Sequence, residues 1–369
     1  MVHRLSRRDA RRIAVRAQLL DAPRPHELLE VLRRLTLVQF DLTAHLAPSA
    51  DLVLWSRLGR AYSPADLDDL VESGRVVELG GLLRPAEDLA LFRAEMQAWP
   101  GPEPRRDWQD ANLEWLEANR ACHDDVLERL RSDGPLPTSA LLDTCVVPWR
   151  SSGWNDDRNV RMLVAILEAR GEVAVAAREG RERLWDLAER VYPDTPTVPL
   201  EEAAGERDRR RLAALGIARA KTQQHPSEPN DVGEAGEPAE VEGVRGQWRV
   251  DPDQLGRPFR GRTALLSPLD RLVIDRRRLG ELFESDYQLE MYKPVAKRRW
   301  GYWAMPILYG DRLVGKLDAT SEREAGVLRV DAVHQDVPFP KTLAAAVWRE
   351  IDALAGWLGL EVDDQSATT

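Results

Sequence analysis

Residues 107–187 constrain the fold more than any other stretch. A helical period runs over 107–131, broken by Gly134-Pro135-Leu136-Pro137-Thr138, where Thr138 can cap a short helix to 143. A further helical period covers 155–169. Two strand-like runs within 171–185 then flank Arg178-Glu179-Gly180, and Gly180 offers a positive φ for a hairpin turn. Three helices followed by a β-hairpin make a winged helix, a module that ordinarily binds nucleic acid.

The N-terminal third repeats much of this outline. Ser6 can cap a helix with Asp9 in its first turn, and Ala10, Ile13, Ala14 and Ala17 follow at helical spacing. Leu28, Leu29, Leu32 and Leu35 predict a second helix, residues 36–41 a short strand, and 51–58 and 63–72 two more helices. A third, less regular copy is expected from a helix at 200–215, a Gly/Pro/Glu-rich stretch at 230–243 and strand-like 247–250. From residue 262 strands dominate, ending in a helix at 341–358. The expectation is an α+β chain of tandem winged helix-turn-helix modules with a β-rich C-terminal region. The expected segments are 1–98, 105–194, 195–255 and 256–369, and the run 99–104 (Trp-Pro-Gly-Pro-Glu-Pro) punctuates the first boundary.

The net charge of −10 disfavours a uniformly nucleic-acid-binding surface, but the charge is uneven. Residues 1–34 carry nine Arg against four acids, and 255–316 carry thirteen Arg or Lys against seven acids. No apolar run is long enough to span a bilayer, and the N-terminus lacks the apolar region of a secretory leader, so no membrane partner and a cytoplasmic location are expected. Cys122 and Cys145 are too few for a disulfide framework or a zinc cluster. The six His show no metal-ligand spacing, and nucleotide-binding glycine loops and the serine-hydrolase elbow are absent. Neither a metal nor a cofactor is therefore expected.

Two runs carry candidate chemistry. In Leu37-Val38-Gln39-Phe40-Asp41, strand periodicity turns Gln39 and Asp41 to one face. An amide there can orient a water molecule while a carboxylate takes its proton or stabilises developing positive charge. The same pair equally suits an edge strand, with Asp41 capping the next turn. The second run, residues 292–303, interleaves Lys293, Lys297, Arg298 and Arg299 with Tyr292, Trp300, Tyr302 and Trp303. Cations suit phosphate oxygens and rings stack on bases, although such a run also suits an exposed hairpin whose rings pack inward.

Leu265-Leu266-Ser267-Pro268-Leu269-Asp270-Arg271-Leu272-Val273-Ile274-Asp275, with Asp286-Tyr287, Glu290-Met291-Tyr292, Lys297-Arg298-Arg299-Trp300-Gly301-Tyr302 and Gly310-Asp311-Arg312-Leu313-Val314-Gly315-Lys316-Leu317-Asp318, resembles the C-terminal signature of the AlkZ/YcaQ-type bacterial DNA glycosylases. Gln39-Phe40-Asp41 and the downstream Ser56-Arg57 are similar to the same family's N-terminal motif, in the Gln-x-Asp form of its YcaQ-like branch. Where many relatives place aromatic and His residues before a proline, this chain has only Glu78-Leu79-Gly80-Gly81-Leu82-Leu83-Arg84 before Pro85.

The resemblance implies excision of purines alkylated at ring nitrogen 7, including some interstrand crosslinks, from duplex DNA. Gln39 and Asp41 would be the catalytic pair of a monofunctional enzyme, since their motif contains no lysine for a Schiff base. Arg57, Lys297, Arg298, Arg299 and Trp300 are the expected DNA contacts, with Arg57 alternatively a structural partner, and the chain is expected to act as a monomer. The competing expectation is a non-catalytic winged-helix DNA-binding protein, a regulator or lesion sensor.

Overall fold

A computed structural model describes residues 1–366 except 42, 151, 152, 154, 157 and 223–227. It is α+β, as expected, with four sheets among the described residues. The chain forms two compact units, residues 1–67 with 208–369, and residues 68–207. These units do not follow the four consecutive segments expected from sequence, because both ends of the chain fold into one body.

In the unit of residues 68–207, the long helix expected over 107–131 is two helices, Asp107–Ala118 and Arg120–Asp133. Asn119 makes the break. Its side-chain amide donates to the carbonyls of Trp115 and Val147, and its Oδ1 accepts from the backbone of Val146 and Val147. A side chain so committed to a loop ends one helix and starts the next. Helix Asn159–Ala169 follows, then the hairpin Val173–Glu179 with Glu182–Leu187, flanked by the short strand Leu136–Pro137. Trp115, Cys122, Val126, Leu130, Leu163, Leu167, Val173 and Trp185 share one core.

The departing segment 78–85 is also a hairpin, Val76–Leu79 with Leu82–Pro85. Glu78 is buried there between the guanidinium groups of Arg178 and Arg183, with Nη2 of Arg178 at 2.6 Å and Nε of Arg183 at 2.7 Å. The segment therefore serves as a charged fastening between two hairpins.

In the other unit, Ser6 caps helix Arg7–Ala17 by accepting from the backbone of Asp9 at 3.1 Å, as its spacing predicts. Strand His3–Leu5 runs parallel to Glu237–Val241, in a sheet completed by Val244–Val250 and Ile217–Arg219. A five-stranded sheet runs Thr263–Leu265, Met305–Tyr309, Arg312–Glu322, Val327–Gln335 and Glu361–Asp364. Along Arg312–Glu322, Leu317 and Ala319 are buried. Lys316, Asp318 and Thr320 occupy the alternate positions and so share the opposite face. Pairing with Val327–Gln335 shifts register between Asp318 and Ala319, and Asp331 is the extra residue.

Candidate active site

The strand expected over 36–41 is only Val38–Gln39, so strand alternation does not set the position of Asp41. Ser49 does. Its side chain is buried at the start of helix Ser49–Leu58. The hydroxyl donates to the carbonyl of Gln39 at 2.9 Å and accepts the backbone N–H of Asp41 at 3.1 Å. One serine thus holds both motif positions. Oδ1 of Asp41 accepts the backbone N–H of Thr43 at 2.7 Å, so the carboxylate also caps the turn it enters. Gln39 and Asp41 are both half-buried, within reach of solvent.

Four residues on, His45 clips the motif loop to the C-terminal sheet. Its Nε2 lies 3.3 Å from Oγ1 of Thr320, and its ring centre lies 5.1 Å from that of Tyr302. Tyr302 in turn carries the guanidinium of Arg298, 5.0 Å from its ring centre, while Nε of Arg298 donates to the carbonyl of Lys293 at 3.0 Å. The two candidate runs therefore meet through His45, Tyr302 and Arg298. Burial holds the His45 imidazole below its ordinary pKa, with Asp331 pulling the other way, so it is neutral at neutral pH.

Beneath this contact lies a small acidic cluster. Asp331 accepts from Oγ1 of Thr320 at 3.1 Å and from Nε of Arg329 at 2.8 Å. The carboxylate of Asp318 sits directly under the α-carbon of Gly301, whose φ is +123°. A β-carbon there would collide with that carboxylate, so this position between Trp300 and Tyr302 requires glycine. Burial, and then the neighbouring Asp331, push Asp318 up to about 6 against the pull of Arg298 and Arg329.

The expected DNA contacts divide by burial. Lys297 and Arg299 are exposed, Arg299 pairing with Asp286 at 2.9 Å, and Arg298 is half-buried. Arg57 is 0% exposed, which fits the structural rather than the phosphate-contacting of its two expected roles. Its guanidinium grips the equally buried Asp270 with both terminal nitrogens, Nη2 at 3.1 Å, and Nε donates to the carbonyl of Gln18 at 3.1 Å. Trp300 is 7% exposed, which corrects its role as a stacking platform for bases. Tyr287 stacks on it at 5.9 Å, and the Arg299 guanidinium and Lys316 ammonium each lie 4.3 Å from its ring centre.

Sequence reasoning missed Ser49, whose only signal is a small hydroxyl ten residues after Gln39, and His45, whose partner Tyr302 is distant in sequence. It also missed that Cys122 and Cys145 come together with Asp143.

A half-buried amide and carboxylate on one braced loop thus lie beside a loop bearing exposed cations. The family model described as DNA glycosylase AlkZ-like matches residues 32–357, and the chain belongs to that family of DNA glycosylases. Among solved structures, the DNA glycosylase AlkZ of Streptomyces sahachiroi matches with a TM-score of 0.63 at 17% identity, over 98% of this chain and 100% of that one, a likeness of fold. No helix among the described residues is long and apolar enough to cross a membrane.

Proposed function

We propose that this protein is a monofunctional DNA glycosylase, acting as a monomer, that hydrolyses the N-glycosidic bond of purines alkylated at ring nitrogen 7 in duplex DNA, interstrand crosslinks included. The observation that carries the reading is the bracing of Gln39 and Asp41 by a single buried serine hydroxyl, at the motif that the family resemblance singles out. The helix–hairpin groups act as winged-helix modules on the duplex.

The chemistry follows from the leaving group. A guanine alkylated at nitrogen 7 is cationic and departs as a neutral base, so no acid is needed to protonate it. As the C1′–N9 bond breaks, positive charge develops on the sugar. The Asp41 carboxylate stabilises that charge and accepts the proton of an incoming water, which the Gln39 amide orients. Residues 37–49 contain no lysine to form a Schiff base. Lys297 and Arg299 supply exposed phosphate contacts, with Arg298 held back on Tyr302.

Asp41→Asn tests this, because asparagine can still accept the Thr43 N–H and keep the turn while losing the charge. On duplex DNA carrying a mustard-type guanine adduct, base release is expected to slow by roughly 100- to 10,000-fold with DNA affinity retained. Equal rates for wild type and variant would remove Asp41 from the mechanism. Salt-sensitive DNA binding without any base release by the wild type would favour the non-catalytic reading.

A further inference from the structure

A second cluster of reactive groups lies in the unit of residues 68–207, outside the proposed glycosylase site. Cys122 stands in the first turn of helix Arg120–Asp133 and is buried. Asp143 and Cys145 come from the loop that follows residue 140. The two thiol sulfurs and a carboxylate oxygen of Asp143 all lie within 4.8 Å of one another.

This convergence is held from several sides. Asn119, three residues before Cys122, accepts the backbone N–H groups of Val146 and Val147 at 2.9 and 3.0 Å. Thr144 donates to Asp125 at 2.9 Å. Each Asp143 oxygen accepts one hydrogen bond, from the backbone of Cys145 at 3.1 Å and from the Asn159 amide at 2.9 Å. Asn159 also accepts the backbone N–H of Trp149 at 2.7 Å. Cys145 packs, partly buried, against the core that contains Cys122 and Leu141, while the neighbouring Leu142 and Val146 are 80% and 76% exposed. A hydrogen-bonded outer shell around converging thiols and a carboxylate is what a metal site needs to orient its ligands.

We propose that Cys122, Asp143 and Cys145 form a zinc site that clamps the 141–147 loop to helix Arg120–Asp133. Tetrahedral zinc takes thiolate sulfur at about 2.3 Å and carboxylate oxygen at about 2.0–2.2 Å, which sets ligand atoms about 3.3–3.8 Å apart. The three groups reach that spacing by small rotations of side chains already facing one another. Two thiolates select zinc over magnesium or calcium, which require oxygen ligands. The fourth position is left to water. His123 is not a ligand here, since its Nε2 is engaged by Glu172 at 2.6 Å. Binding releases the two thiol protons to solvent and involves no change in oxidation state.

The test uses the full chain, reduced and freed of metal, titrated with cobalt(II) as a spectroscopic stand-in and then with zinc. One equivalent of cobalt is expected to bind with a thiolate-to-cobalt charge-transfer band that zinc abolishes. Asp143→Asn should weaken zinc at least about 10-fold, and Cys145→Ser by about 100-fold or more with loss of the band. Far-UV circular dichroism shows that each variant is folded. Independently of any variant, zinc should protect the partly exposed wild-type Cys145 from alkylation as read by mass spectrometry. The proposal is overturned if the folded, reduced chain gives no charge-transfer band, if the band survives Cys145→Ser, or if zinc leaves alkylation of Cys145 unchanged. Oxidation of the pair to a disulfide that, once reduced, binds no cobalt would also overturn it.

Discussion

The C-terminal signature at 265–318 and the motif loop at 37–49 carry the family resemblance, and they are built on opposite principles. Several charged side chains of the signature are buried and hydrogen-bonded, while Lys297 and Arg299 stay exposed. Asp270 caps helix Arg271–Ile274 and holds Arg57. Arg278 is buried and donates to the carbonyls of Leu215 and Ile217, where desolvation lowers its guanidinium to about 10. Glu290 is 2% exposed and opposed by burial. Lys293 and the N–H groups of Trp300 and Arg299 nonetheless keep its carboxyl below the usual range. The motif loop instead leaves Gln39 and Asp41 half-exposed and depends on one hydroxyl. The residues that make the chain recognisable mostly hold the scaffold, and the few that suit chemistry are the least packed.

The largest effect expected from breaking this contrast is at Arg57. Arg57→Leu leaves Asp270 as an uncompensated buried charge and should destabilise the fold by about 3–5 kcal/mol in denaturant unfolding. A small loss of stability with a large loss of DNA affinity would instead return Arg57 to the DNA interface. Ser49→Ala comes next. It strands a half-buried N–H and carbonyl for about 1 kcal/mol, and loosening the pair should slow base release by on the order of 10- to 100-fold while DNA affinity holds. Unchanged turnover would show that the serine brace is only structural.

Asp318→Asn sharpens the contrast in the acidic cluster. The folded-state pKa of about 6 lies above the ordinary aspartate value of 3.8, so the folded chain binds the extra proton between these limits. Wild-type stability should therefore fall as pH rises from about 4 through about 6, and the cost is complete above that window. Asparagine mimics the protonated form. The variant should melt higher than wild type at pH 8, by on the order of 1 kcal/mol after allowance for partial exposure, and the difference should shrink steadily from about pH 6 to vanish near about pH 4. The smallest effect is at Lys297. Lys297→Ala should weaken binding by a similar factor on every DNA sequence and lower the slope of log affinity against log salt by about 1. An unchanged slope would take this lysine away from phosphate.

Local periodicity made much of the helical framework legible. Helices Arg7–Ala17, Leu28–Leu35, Leu200–Leu215 and Lys341–Leu358, and the hairpin at 173–187, lie close to where spacing predicts them. Such signals depend on neighbours within one or two turns. The motif strand failed because its shape is set by Ser49 from the following helix, and the helix at 107–131 split because Asn119 serves a loop about 28 residues away.

The sequence alone determined the family, the α+β class and the residue types available for chemistry, since these rest on composition, spacing and contiguous motifs. Tertiary structure decided which charges face water. Arg57 and Lys297 are equally cationic on paper, but one closes on Asp270 and the other stays exposed. It also decided that Asp41 is braced by Ser49, that His45 meets Tyr302, and that two cysteines converge on Asp143. Burial and long-range pairing depend on the whole folded chain, so no local window of sequence contains them.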